Sequence, residues 1–360
     1  MNRRLHAPAF TLLEMLVSMT ITSILLTLMV QIMGTTQQTW QRTKSQAEAF
    51  RSAREAFESI SRQLSQATLN NYWDYNDPNQ PTYYQRQSEL HYVSGPASSL
   101  LTSMANPTIG HSVFFQAPLG VDHLDPATQP GAGLDQALNA WGYYVEYNSD
   151  LPTRPGFMTE ASPTHPEKKR FRLMEFRLPS ENFDLFKLPS TATAGTRPAL
   201  HAATTASGLY SWFRTPLQTR SEPLAENILA LIIRPTFPGQ STQPDDYLYD
   251  TRSCQLTSGN ISDADAARRH QLPPAIRIVL VALDESSWLR AEHDEALSTE
   301  LVNLVNNELF TRPARLEDDL IELSATLTSM NLQHRVFNTT VSIRAAKWHT
   351  EKQKNPTTTP

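Results

Sequence analysis

Ala9-Phe10-Thr11-Leu12-Leu13-Glu14-Met15-Leu16-Val17 opens the stretch on which the rest of the chain depends. From Phe10 to Met33 there is no Gly, no Pro and one charge, Glu14. A helix over that run, at about 1.5 Å per residue, is roughly 35 Å long and can cross a hydrocarbon core of about 30 Å. Arg3 and Arg4 precede it, and positive charge favours the cytoplasmic side. The chain after the span is therefore expected to be exported. Ser18, Thr20, Thr22, Ser23 and Thr27 lower the hydropathy, but their hydroxyls can bond carbonyls one turn back. Glu14 is the costly residue. A carboxylate inside a membrane helix costs roughly 3 kcal/mol or more, which makes it a functional candidate. The structural alternative places Glu14 near the helix end, reaching the headgroups.

Ala9 to Glu14 resembles the prepilin signature, in which a short basic leader is cut before a Phe and the mature fifth residue is Glu. The resemblance implies that a prepilin peptidase cuts between Ala9 and Phe10 on the cytoplasmic face and methylates the new amine of Phe10. The family usually carries Gly before the cut; this chain has Ala9, the next smallest residue. It also implies that Glu14 of one subunit neutralises the Phe10 amine of its neighbour. Such a pair attracts strongly in low dielectric, and losing one partner leaves a buried charge at a cost of several kcal/mol. An ordinary secretory signal needs a small-residue cleavage site after the apolar run. Gly34-Thr35-Thr36-Gln37 is not an Ala-x-Ala site, and the helical pattern runs through it.

The 360 residues can hold one large or two modest domains beyond the anchor. With 31 basic and 36 acidic residues, nothing points to nucleic acid as a partner. The one cysteine, Cys254, excludes an internal disulfide and a Cys-based zinc site, and is expected to be buried. Twenty-five prolines against twelve glycines indicate long irregular connections over a β-rich body.

Past the apolar span, Trp40, Thr43, Ala47, Phe50, Ala53, Phe57, Ile60, Leu64 and Ala67 form the stripe of one helix face. Arg51 with Glu55, Arg54 with Glu58 and Glu58 with Arg62 are opposite charges four apart on the other side. The stripe is expected to pack on the protein's own sheet; a coiled coil with another chain is the alternative. The helix is expected to fail near Asn70-Asn71. Strands are expected at Glu89–Val93, Ser112–Gln116, Trp141–Tyr147, Arg170–Leu178 and within Glu226–Phe237, with Ala275–Leu283 the central strand and Arg335–Ala346 the last. Leu119–Leu134, Leu151–Pro166 and Pro189–Ser207 read as loops, the last of them mobile. Thr236–Arg269 is polar and loop-like. Ser286–Phe310 and Arg315–Leu332 read as helices, and Lys352–Pro360 as a disordered tail.

No Gly-x-Ser-x-Gly, His-Glu-x-x-His or phosphate-cradling glycine loop occurs, so no catalytic, cofactor-binding or metal residue is assigned. His91 and His111 flank strands and read as surface or core-edge residues. Asp263 with Asp265, and Asp245 with Asp246, supply too few oxygens for calcium. Asp318 and Asp319 suit a helix N-terminus. Tyr143, Tyr144 and Tyr147 read as cross-strand packing rather than a carbohydrate platform. Trp288 and Trp348 read as core anchors.

The carboxyl half carries a second resemblance. Leu224-Ala-Glu-Asn-Ile-Leu-Ala-Leu, Gln271-Leu-Pro-Pro, Val281-Ala-Leu-Asp-Glu-Ser-Ser-Trp288, Asp318-Asp-Leu320 and Arg335-Val-Phe-Asn-Thr-Thr-Val-Ser-Ile-Arg344 through Lys347-Trp348 resemble the Verru_Chthon cassette protein C family of pilin-like proteins. More distantly, the plan is similar to the J-type minor pseudopilin of type II secretion. The expected fold is α+β, a long N-terminal helix packed on an antiparallel head with long loops and a helical insertion. The expected divisions are a leader at 1–9, a transmembrane half-helix at 10–33, an amphipathic half at 34–70, a head at 71–350 and a tail at 351–360. The expected role is a non-enzymatic minor subunit of a type IV pilus or a type II secretion-like pseudopilus. It is expected to be held single-pass in the inner membrane, N-terminus cytoplasmic and head periplasmic, among prepilin peptidase and other pilin-like subunits. A membrane-tethered binding or adhesion protein that never polymerises is the alternative.

Overall fold

A computed structural model of the chain describes residues 12–75, 80–102, 104–120, 137–158, 166–182, 205–237, 246–256, 263–291 and 294–348. The chain divides into two units, Met1–Ala49 and Phe50–Pro360. The fold is α+β. It begins with helix α1, Leu12–Leu64, and all of its strand pairs are antiparallel.

The strands are β1 (Tyr72–Tyr75), β2 (Tyr84–Gln87), β3 (Val93–Pro96), β4 (Thr108–Pro118), β5 (Leu138–Ser149), β6 (Lys169–Leu178), β7 (Ser221–Glu226), β8 (Ile228–Thr236), β9 (Tyr249–Asp250), β10 (Ala275–Leu283) and β11 (His334–Ser342). They form a six-stranded sheet ordered β7-β6-β5-β4-β3-β9, a three-stranded sheet ordered β11-β10-β8, and the separate hairpin β1-β2. Short helical turns are α2 (Ala97–Leu100), α3 (Ala206–Leu209), α4 (Ser211–Arg214), α5 (Leu217–Arg220), α6 (Ser253–Leu256) and α7 (Asp263–Arg268). The helical insertion between β10 and β11 comprises α8 (Glu285–Ala291), α9 (Glu295–Asn303) and α10 (Leu316–Ser329), with a π-helical turn at Leu304–Glu308.

The second unit explains where the stripe of α1 goes. Ala53, Phe57, Ile60 and Leu64 join one core with Ile228–Ile233 of β8 and Ile276–Leu283 of β10. Burying Ile60 and Leu64 contributes roughly 1.5–3 kcal/mol each. Phe57 meets Phe337 of β11 with ring centroids 5.8 Å apart. Arg51 pairs with Glu55 and Arg54 with Glu58 on the exposed side. Within the second unit the stripe is in use, with Phe50 partly buried and Ala53, Ile60, Leu64 and Ala67 enclosed. Central β10 is buried along both faces after its first turn, which is why its sequence is almost continuously apolar rather than alternating. Arg277 turns to the face opposite Ile276 and Ile278 and pairs with Glu317 of α10. A second core lies on the other side of the six-stranded sheet, where Phe114, Tyr144 and Phe176 pack under Leu209, Trp212 and Phe213.

Several expectations need correction. Helix α1 ends at Leu64, short of residue 70, because both sheets take over the following backbone: Arg344 N–H donates to the Ser65 carbonyl and Thr68 N–H to the Gln116 carbonyl. The strand expected at Glu89–Val93 starts only at Val93. In the preceding residues side chains replace ladder partners: Asn70 Oδ1 accepts from Glu89 and Leu90, Gln116 Oε1 from His91, and Thr251 Oγ1 from Tyr92. The stretch Tyr247–Arg252, taken for loop, contains β9, and Tyr247, Tyr249, Asp250, Thr251 and Arg252 are buried. Strands β1, β2 and β7 and turns α3–α5 had no counterpart in the sequence reading. Most of the loop at Leu119–Leu134, part of Leu151–Pro166, the segment 189–204 and the tail Lys352–Pro360 lie outside the described residues.

Two glycines are required by close approach. Gly110 has φ +67°, and a Cβ there would sit 2.8 Å from the Leu231 carbonyl where β8 crosses β4. Gly142 faces the ring of Phe114, which stacks on Phe213 at 4.0 Å and therefore cannot swing away. Gly142→Ala should lower stability by about 1–3 kcal/mol through overpacking. Gly156→Ala, at a site with nothing within 4 Å of the added carbon, should change it by less than about 1 kcal/mol. Urea unfolding of the full chain in detergent reads both.

Candidate functional site

The N-terminal candidate is built on the first turns of α1. Leu12–Gly34 is a 23-residue helical span of mean hydropathy 2.0, none of it buried. Apolar side chains face outward all round it, Leu12 at 84% and Met29 at 74% exposure among them. The hydroxyls behave as their positions suggest. Ser18 and Thr20 donate to the carbonyls of Met15 and Val17, and Thr22 and Thr27 to those of Ser18 and Ser23, at 2.7–2.9 Å. These four hydroxyls thus have their donors satisfied within the span. Glu14 lies in the first turn of α1, where the helix dipole favours a carboxylate. Ala9 and Phe10 lie outside the described residues.

The second candidate is a buried polar cluster that the sequence reading missed. His91 and Asp250 sit 159 positions apart, yet His91 Nε2 is 2.7 Å from Asp250 Oδ1 with both side chains enclosed. Trp212 Nε1–H donates to His91 Nδ1 at 3.0 Å. That nitrogen must keep its lone pair, so the imidazole is neutral and its Nε2–H donates to Asp250. Tyr210 donates to Asp250 Oδ2 at 2.9 Å and Arg252 N–H to Oδ1 at 2.6 Å. Burial pushes His91 below its ordinary pKa against the pull of Asp250. Burial alone would raise Asp250, but the His91, Arg252 and Tyr210 donors outweigh it and hold the carboxyl below the usual range.

A His–Asp pair invites a catalytic reading. Here both imidazole nitrogens are committed, one to a tryptophan that offers no nucleophile, and the ring is fully buried. The cluster instead ties α3 and α4, through Tyr210 and Trp212, to the edge of the six-stranded sheet.

His91 and His111 are therefore interior residues, contrary to the core-edge expectation. His111 Nδ1 lies 3.1 Å from both the N–H and the carbonyl of Ile233, one of which it bonds according to its tautomer, and the ring lies edge-on to Tyr247. Tyr143 and Tyr144 are buried between strands, and Tyr147 packs on Phe171 and Trp288. Trp288 is enclosed, Trp348 packs on Phe237, and Cys254 is buried with Arg269 Nε 3.2 Å from its sulfur. Asp265 and Asp246 accept local hydrogen bonds from Ser253 and Leu248. Asp319 has a further use, accepting from Phe310 N–H at 3.0 Å. Two more structural roles carried no sequence signal. Arg170 bridges Glu226 and Glu285, tying β6 to α8, and Asn306 accepts from Gly110 N–H while donating to the Thr108 carbonyl.

Comparison with known families matches residues 7–30 to the prokaryotic N-terminal methylation motif. The matched stretch holds Ala9, Phe10, Glu14 and most of the exposed apolar span. The motif marks a type IV pilin-like precursor of the kind a prepilin peptidase processes, a structural rather than an enzymatic class. Searches of curated proteins and of solved structures return no match.

Burial lowers the pKa of His111 from 6.5 to about 4. Because the unfolded chain binds this proton more readily, the stabilisation is present above about pH 6.5 and is lost as pH falls toward 4. Between pH 7 and 5 His111 should remove about 2 kcal/mol. Buried Glu146 and Glu175, whose pKa values burial raises, act in the opposite sense. The share of His111 is therefore read as the difference between wild type and His111→Gln, whose unfolding free energy should depend less on pH by about that amount.

Proposed function

We propose that this chain is a minor pilin-like or pseudopilin-like subunit, assembled into or priming a type IV pilus or type II secretion-like pseudopilus. The carrying observation is the coincidence of the methylation motif at residues 7–30 with an apolar helical span of which none is buried. Residues 1–9 act as the leader. Prepilin peptidase cuts between Ala9 and Phe10 and methylates the Phe10 amine. Arg3 and Arg4 keep that end cytoplasmic, while the head, residues 71–350, lies in the periplasm and Leu12–Gly34 rests in the inner membrane. The stretches from Leu224 to Trp348 that resemble Verru_Chthon cassette protein C, and the more distant likeness to a J-type pseudopilin, support placement among accessory subunits. The size of the head supports the minor role, since a major subunit must repeat closely along a filament.

Glu14 then works between chains. Its carboxylate, four positions after the freed amine, neutralises the Phe10 amine of a neighbour within an apolar bundle, where an unpaired charge costs several kcal/mol. Glu14→Ala should leave membrane insertion intact and reduce co-purification of pilin-like subunits by about tenfold or more, given roughly 1.4 kcal/mol per decade. Unchanged recovery would remove the pairing role, and filaments composed chiefly of this chain would overturn the minor role.

A further inference from the structure

The exposed rings of the second unit are gathered in one place. Among its described residues every exposed aromatic side chain except Phe157 lies on the β1–β2 hairpin: Tyr72, Trp73, Tyr75 and Tyr84. Register sorts them by face. Trp73 opposes Arg86 and Tyr75 opposes Tyr84, so these four project from one side, and Tyr72, Asp74, Gln85 and Gln87 from the other. The second side is the anchored one. Gln87 is buried, Gln85 accepts from Arg269 at 2.7 Å, and Tyr72 donates to Glu89. A two-stranded hairpin is marginal by itself; these bonds fasten it and leave its outer side pre-formed.

On the outer side Tyr75 and Tyr84 stack with centroids 4.6 Å apart, and the Tyr84 hydroxyl donates to that of Tyr75 at 3.0 Å. The Arg86 guanidinium lies 5.8 Å from the centroid of the Trp73 ring, and its Nη1 donates to the Arg269 carbonyl at 3.2 Å. Trp73 remains 62% exposed. Among the described residues Arg86 has no carboxylate partner, and its Nε and Nη2 make no hydrogen bond. That edge of a guanidinium is the fork that grips a carboxylate with two donors. Asp74 projects from the anchored side, and Glu89 is already bonded by Asn70 and Tyr72. Aromatic faces are weakly negative, and the C–H groups on the flat face of a pyranose are their weakly positive counterpart. A ring beside a carboxylate fork is therefore complementary to a sugar that carries a carboxylate.

We propose that the outer side of the β1–β2 hairpin binds an anionic polysaccharide, with a uronate ring stacked on Trp73 and its carboxylate held by Arg86. The Tyr75–Tyr84 pair, two positions along the strands, continues the platform for a neighbouring sugar. A lipid surface fits the patch less well, because neither strand has an aliphatic residue. Single-stranded nucleic acid stacks on rings too, but a cationic track holds its backbone, and the outer side has the one cation Arg86. Binding here does not require Phe10 to be freed, so its failure leaves the processing account untouched.

The test is affinity electrophoresis of the full chain in detergent, through gels containing polygalacturonate, alginate or neutral dextran. The net charge of −5 works against non-specific retention by a polyanion. At least one of the two uronates should retard the chain about tenfold more strongly than dextran does, and salt should weaken the effect. Trp73→Ala and Arg86→Gln should each weaken retention by about tenfold or more. Trp73→Phe keeps a ring and should retain the uronate within about threefold of wild type. The change in tryptophan emission that the uronate produces in wild type should vanish in Trp73→Phe, a readout of contact that loss of the hairpin fold would not mimic. No retention by either uronate, equal retention by dextran, or retention that survives both Trp73→Ala and Arg86→Gln would overturn the proposal. So would an emission change that persists in Trp73→Phe, or tighter capture by a single-stranded oligonucleotide or by phosphatidylglycerol vesicles.

Discussion

A single helix has to satisfy two different surroundings. Over Leu12–Gly34 α1 is apolar on every side, and no one-sided contact with a sheet could cover it. Over Phe50–Leu64 the same helix is apolar on one stripe and ion-paired on the other, and there it rests on the three-stranded sheet. Water suits the second half and not the first. The apolar half needs lipid or other apolar helices around it, and that requirement is what makes one carboxylate within it significant.

The remainder of the head is arranged to hold that helix firmly. Phe337 of β11 meets Phe57, and the chain leaving α1 is secured from both sides by Arg344 and Gln116. The six-stranded sheet in turn is clamped on its far face by short helical turns, whose attachment depends on the enclosed His91–Asp250–Trp212–Tyr210 cluster. Such a cluster specifies one arrangement because every unmet polar group in it is costly. Its members are bound to one another rather than aimed at a substrate, in keeping with a structural role for the head.

How much of this was legible in the sequence depended on periodicity. The span and stripe of α1, the run of β10, the helices after it and β11 all announce themselves through hydropathy of period 3.6 or 2, a property of neighbouring residues. The burial of Cys254 and Trp288 also followed from residue type. The His91–Asp250 contact had no such signal, because the pairing of β3 with β9 brings together two residues 159 positions apart. Tyr247, Tyr249 and Thr251 do alternate, and that pattern was masked by the polar residues around it. The end of α1 was misplaced for a related reason: Ala67 continues the stripe and is buried, but it is covered without being helical. The methylation motif at residues 7–30 could be read from local letters because it is itself a run of neighbouring residues.

The most direct measurement is the intact mass of the chain recovered from membranes, with fragmentation of its amino terminus. A processed pilin-like subunit begins at Phe10 and carries a methyl group on that amine, leaving Glu14 as the fifth residue. A recovered chain that retains residues 1–9, or that has been trimmed beyond Met33, would contradict the account, since neither form presents a freed amine for Glu14 to neutralise.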